Sequence, residues 1–172
     1  LIMREKIIIS ANGQDKQGIV LEISSLINYH KANIETSRMI KLGDNFAMLV
    51  LIDIDTHKKI DLKKDLDKIS HLKINITETR EQITAYKNKL HLHINGADNE
   101  GIVYSFTNYL LELNINIEEV NTTIKNAPMS ATPLFMMDLI IGSKYEINEI
   151  ELEQELIKIS EKLGVETILK KY

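Results

Sequence analysis

Two stretches of this chain set the same polar residues at the same spacing. Asn12 to Val20 reads Asn-Gly-Gln-Asp-Lys-Gln-Gly-Ile-Val, and Asn95 to Val103 reads Asn-Gly-Ala-Asp-Asn-Glu-Gly-Ile-Val, with 95 − 12 = 83 residues between them. In each, an aspartate (Asp15, Asp98) precedes a glycine (Gly18, Gly101) that stands before an apolar run beginning Ile19 or Ile102. Where such a run opens a helix, its first amides lack intrahelical partners, and a glycine in front leaves them unobstructed. Those amides can receive a carboxylate. A nearby aspartate can accept from an ammonium group, so the pair suits the two charges of an amino acid. The competing reading is structural: Asp15 and Asp98 cap the helix, and the glycines only make the turn.

Other chemistries find less support. With no cysteine among 172 residues, thiol nucleophiles, disulfides and cysteine-based metal sites are excluded. Gly13 and Gly18 have the outer spacing of a phosphate-binding loop, yet Ile-Val follows where Lys-Ser/Thr is needed. Neither Gly-x-Gly-x-x-Gly nor Gly-x-Ser-x-Gly occurs, so no enzyme is expected and no nucleotide cofactor is implied. Of the histidines, only His91-x-His93 has metal-like spacing; no third ligand is in view, and no metal site is assigned. A net charge of −4, without a run of lysines and arginines, argues against nucleic acid as a direct partner. No stretch approaches the roughly 18 apolar residues of a membrane span, and a cytoplasmic location is the expectation.

The elements that must position these residues also repeat. Laying Lys6–Lys41 over Lys89–Ile124 matches Lys6, Asn12, Gly13, Asp15, Gly18, Ile19, Val20, Asn33, Ile34 and Glu35 with identical residues. A repeat this long predicts two units of roughly 85 residues, each large enough for a modest core. Residues 4–80 are expected to form the first, 81–88 a linker and 89–172 the second. Ile7, Ile9 and Ala11 alternate with Ile8 and Ser10, which predicts a strand ending at Asn12-Gly13, where the glycine turns the chain. Ile19, Val20, Ile23, Leu26 and Ile27 trace one helix face, and strands over 34–42 and 46–54 flank a turn at Gly43-Asp44-Asn45. Asp61 is placed to cap a second helix carrying Leu62, Leu66, Ile69 and Leu72, before a strand over 74–79.

The second unit follows suit. A strand over 89–95 precedes a helix with Val103, Phe106, Tyr109, Leu110 and Leu113 inward, then strands over 117–125 and 134–141. A helix with Ile150, Leu156, Ile159 and Leu163 inward stops at Gly164, before a strand over 165–169. The order βαββαβ, twice, predicts an α+β protein of two tandem ferredoxin-like domains, each a four-stranded antiparallel sheet with two helices on one face.

Phe46 and Phe135 open equivalent strands but lie 135 − 46 = 89 residues apart, so the second hairpin, Asn-Ala-Pro-Met-Ser-Ala-Thr-Pro-Leu-Phe, is about six residues longer. Pro128 and Pro133 are expected to stiffen this loop and keep it out of the ladder. Either it is a tolerated insertion or it is a contact surface. Among uses of this fold, an RNA reader needs stacking aromatics where this chain offers Ile8, Ser10, His91 and His93. A metal carrier needs cysteines, and an acylphosphatase-like enzyme needs a loop arginine. Small-molecule sensing remains.

A strand, then Asp-x-x-Gly-Ile-Val opening a helix, then Asn-Ile-Glu opening the next strand, twice, resembles the ACT domain, a regulatory module that commonly binds amino acids between paired copies. The tandem and the Ala-Pro-Met-Ser-Ala-Thr-Pro-Leu-Phe segment resemble the glycine cleavage system transcriptional repressor family. That resemblance implies regulation through a protein partner such as a transcriptional activator, no DNA-binding domain of its own, and glycine or a related amino acid as ligand. It implies ligand contacts at Asp15, Gly18, Ile19 and Asn33, and at Asp98, Gly101, Ile102 and Asn116; the asparagines are otherwise ordinary turn residues. A homodimer is compatible with it. Gln17 and Glu100 stand where many relatives have proline, asparagine is frequent where Asp15 and Asp98 stand, and Glu100 sets a negative charge against an incoming carboxylate. The alternative to a sensor is an interaction scaffold with vestigial pockets, docking through the 126–135 loop and the exposed sheet.

Overall fold

The computed structural model describes residues 3–80, 86–127 and 131–172. The chain divides into two units, Leu1–Gln82 and Ile83–Tyr172. The first runs β1 (Arg4–Gln14), α1 (Ile19–Tyr29), β2 (Asn33–Leu42), β3 (Asn45–Asp55), α2 (Lys59–Leu66) and β4 (Leu72–Glu78). The second runs β5 (Asn88–Ala97), α3 (Ile102–Glu112), β6 (Asn116–Asn126), β7 (Pro133–Ser143), α4 (Glu149–Leu163) and β8 (Val165–Lys171). Each unit carries one antiparallel sheet, ordered β2-β3-β1-β4 and β6-β7-β5-β8. The expected α+β architecture of two βαββαβ repeats is what forms.

Strand alternation builds each core. Ile7, Ile9 and Ala11 of β1 and Phe46, Met48, Val50, Ile52 and Ile54 of β3 turn to one face, where Ile19, Ile23 and Ile27 of α1 and Leu62 and Leu66 of α2 cover them. In the second unit Leu90, Leu92 and Ile94 meet Phe106 and Leu110 of α3 and Leu152 and Leu156 of α4. Each buried Val, Leu, Ile, Phe or Met among them contributes about 1.5–3 kcal/mol by leaving water. Among the described residues, both helices of each unit lie on that one face of its sheet.

Several details depart from the sequence reading. Asp61 does not cap α2: the helix begins at Lys59 behind Lys58, and Asp61 lies in its first turn. Leu72 starts β4 instead of extending the helix. Ile150 is 70% exposed, because Leu152 and Leu156 set the buried stripe of α4 and Ile150 falls outside their i, i+4 phase. Val20, Val103 and Leu113 are likewise exposed. Gly13 and Gly96 do not turn the chain; both stay in their strands, opposite Phe46 and Phe135. Their need for glycine is close approach, since a Cβ on Gly13 would stand 2.7 Å from the His71 carbonyl and one on Gly96 2.7 Å from the Val165 Cα.

Those two pairings match Phe46 with Phe135 and locate the extra residues in the hairpin. In the first unit Leu42 pairs with Asn45 around Gly43, whose φ is 62°. In the second, Asn126 pairs with Pro133, and the Ala127 amide donates to Thr132 O at 2.9 Å. Pro133 therefore joins the ladder as the first residue of β7, a position that needs no amide hydrogen. Pro128 lies outside the described residues.

Candidate functional site

The β1–α1 turn is built for an open helix start. Gly18 has φ 95°, a left-handed conformation that costs other L-residues roughly 1–2 kcal/mol. A Cβ there would meet nothing within 4 Å, so the backbone angle, not crowding, selects glycine. The first intrahelical bond runs from the Glu22 amide to Gly18 O at 2.9 Å, and no side chain caps α1. The amides of Ile19, Val20 and Leu21 therefore precede the ladder. α3 repeats this arrangement: Gly101 has φ 83°, no side chain caps it, and Ser105 N–H donates to Gly101 O at 2.9 Å. The capping alternative for Asp15 and Asp98 is thereby removed.

A groove of about 560 Å³ opens at the first helix start, lined by Asp15, Gly18, Val20, Ser24, Met39 and Phe46 among others. Its walls mix the Asp15 carboxylate, the Lys16 ammonium and the Ser24 hydroxyl with apolar side chains. The Ile19 and Ile102 side chains point into the cores, at 2% and 1% exposure, so only their backbone amides can reach a ligand. Asp15 is already engaged, its carboxylate 2.6 Å from the Lys41 ammonium. The position equivalent to Lys41 is Ile124, as both lie opposite the phenylalanine of the next strand. Asp98 accordingly has no ion-pair partner among the described residues.

The asparagines lie elsewhere. Asn33 starts β2 opposite Asp53, whereas Asp15 follows the far end of β1, where Gln14 meets Asn45. Within one unit, then, the sheet does not bring Asn33 to Gly18, nor Asn116 to Gly101. Asn116 Nδ2 donates to Tyr86 Oη at 2.9 Å, and the Tyr86 ring lies over Gly142, the residue paired with Asn116. Tyr86 was not singled out from the sequence, since nothing marks a tyrosine in a connecting segment as a neighbour of a strand start. The glutamate of each Asn-Ile-Glu trio has a structural role. Glu35 pairs with Lys6 at 3.0 Å and Glu118 with Lys89 at 2.7 Å, which explains why the lysine and the glutamate recur together.

On the helix-free face of the second sheet, His91 Nε2 and His93 Nδ1 donate to the same oxygen of Asp138, at 3.0 and 2.8 Å. Burial opposes ionisation of Asp138, but the two imidazoles outweigh it and hold its carboxyl below the usual carboxylate value. Asp138 is on β7 directly opposite His93. The signal that could have found it is strand register, which a single sequence gives only loosely.

The ACT-domain family model matches residues 5–77, the span that contains the Gly18 turn and the whole first sheet but for its ends. A UPF0237 protein of Methanocaldococcus jannaschii is 33% identical over 89 residues, which make up 49% of this chain and 98% of that protein. The chain belongs to the ACT-domain family. A UPF0237 protein of Methanococcus maripaludis is 30% identical over 89 residues, covering 99% of that protein and 50% of this chain. Over nearly full length, the two ACT units are similar to the crystal structure of an unknown protein from Galdieria sulphuraria, with 27% identity, 99% of both chains covered and a TM-score of 0.85. A crystal structure presented as a candidate glycine cleavage system transcriptional repressor shares the tandem fold, at 18% identity over 99% of both chains and a TM-score of 0.67. Among the described residues, no helix of the ACT pair is long and apolar enough to cross a membrane.

Proposed function

We propose that this chain is a non-enzymatic regulatory protein that binds glycine or a related small amino acid at the Gly18 turn and passes the signal to a protein partner. The observation that carries this is the uncapped, left-handed glycine start of α1 facing a groove that also holds Asp15. The free amides take the carboxylate, and Asp15 takes the ammonium in place of Lys41. That exchange costs little, because the Lys41–Asp15 pair is exposed and such pairs are worth about 0–1 kcal/mol. Likeness of fold to a candidate glycine cleavage system transcriptional repressor supports a transcriptional role, for which an activator protein is the proposed partner. Asn33 would reach a ligand at a Gly18 turn only from a second copy of the chain, which is how a homodimer would enter. Asp98, Gly101 and the Ile102 amide make the weaker second site, with Glu100 beside it, while Asn116, like Asn33, lies at the other end of its sheet.

Calorimetry of the whole chain with a panel of amino acids tests this reading. Saturable heat with glycine or serine, weakened roughly tenfold or more in Asp15→Ala through loss of a charge-assisted bond, is the expected result. No heat and no thermal shift for any amino acid removes it. A second reading, the interaction scaffold with vestigial pockets, is favoured by the occupation of Asp15 by Lys41 and of Asn116 by Tyr86. Under it, substitution of Pro128 and Pro133 abolishes partner capture, whereas a sensor with that substitution keeps its ligand.

A further inference from the structure

The His91, His93 and Asp138 cluster is not needed by the fold. Register alignment puts Ile8, Ser10 and Leu49 at the corresponding points of the first sheet, and that sheet forms equally well. We infer that the second unit carries a divalent transition-metal site on the open face of its sheet, with His91, His93 and Asp138 as protein ligands and water completing the coordination.

The geometry is the argument. Residues i and i+2 of a strand share a face, so β5 projects both imidazoles to the same side, and β7 sets Asp138 directly across from His93. All three side chains are partly exposed, at 37%, 26% and 42%, so an ion can enter from solvent. As the side chains now stand, no group of three or more His, Cys, Asp or Glu among the described residues is arranged to hold a metal ion. The cause is visible: both imidazoles now bond Asp138 directly. In a tetrahedral site with metal–ligand bonds of about 2.0–2.2 Å, neighbouring ligand atoms stand about 3.4 Å apart. The present separations of 3.0 and 2.8 Å therefore need to open by only about half an ångström as an ion replaces the shared hydrogens. Two imidazoles with one carboxylate suit Zn²⁺, Co²⁺ or Ni²⁺, whereas Mg²⁺ and Ca²⁺ prefer all-oxygen sets.

The test uses the untagged full chain, titrated with Zn²⁺ by equilibrium dialysis and with Co²⁺ by visible absorbance. The expected result is one ion per chain, loss of saturable binding in His93→Ala and in Asp138→Ala, and unchanged binding in His57→Ala, whose imidazole lies in the other unit. Because a variant could fold poorly, the imidazole carbon–proton correlations of His91 and His93 are followed in the unaltered protein as Zn²⁺ is added. Shifts confined to those two rings support the site. No ion bound at about 100 µM metal, binding that survives His93→Ala, or shifts at other histidines instead overturns it.

Discussion

The two units share one backbone plan and spend their side chains differently. At the helix start they agree, with Gly18 and Gly101 both left-handed and uncapped. Around it they diverge. The first unit neutralises Asp15 with Lys41 and leaves the Asn33 side chain without a hydrogen bond among the described residues. The second leaves the Asp98 carboxylate without an ion pair among the described residues and ties Asn116 to Tyr86. On the open sheet faces the contrast is sharper, Ile8, Leu49 and Leu51 against His91, Asp138 and Ile140. At the far end of the first helix, His30 donates to Asp65 at 2.8 Å, where the second unit has Leu113. Duplication has kept what the fold requires and left the polar surface free to take separate roles.

The largest effects should come from the cores. Phe106 and Ile23 occupy the same helix position and both are fully buried. Phe106→Ala is expected to cost about 3–5 kcal/mol and Ile23→Ala about 2–5 kcal/mol in denaturant unfolding, the larger cavity losing more. Next come the strand glycines. Gly96→Ala sets a methyl against the Val165 backbone, whereas Gly13→Ala meets the movable Leu72 side chain as well as a carbonyl. Both should lose about 1–3 kcal/mol, with Gly96→Ala the worse; equal or negligible losses would show that the sheets relax freely.

How much was legible follows from the same residues. Alternation in Ile7, Ile9 and Ala11 and the 83-residue repeat were enough for the topology, because burial on one face leaves a strand no other register. Gly13 was misjudged since a glycine in sequence does not say whether it supplies a bend or admits a neighbouring backbone. Ile150 was misjudged because two apolar residues at nearby phases compete for one helix face, and packing against β8 and α3 decides between them. The glycine helix starts at Gly18 and Gly101 were readable; Lys41 as the partner of Asp15 and Tyr86 as the partner of Asn116 come from register and the connecting segment.

Smaller effects sharpen the contrast at the polar contacts. Tyr86→Phe removes the Asn116 hydrogen bond and should cost about 0.5–1.5 kcal/mol, while no aromatic change in the first unit mimics it. Asp65 is held below its ordinary value of 3.8 by Lys68 first and His30 second. A group with a depressed folded value contributes stability above its unfolded value and loses it as pH falls through the folded one. Unfolding midpoints between about pH 5 and pH 2 should therefore fall less steeply in Asp65→Asn than in the parent chain. An unchanged slope would show that this network contributes nothing.

The central claim concerns the first helix start. Backbone amide nitrogen–proton spectra of the full chain, recorded as glycine and then serine are added, report on it residue by residue. Saturable shifts at Gly18, Ile19, Val20 and Lys41, larger than those at Gly101 and Ile102, are the predicted result. Spectra that do not change at Gly18 through Leu21 up to about 10 mM ligand, some tenfold above a Kd of 1 mM, would contradict it.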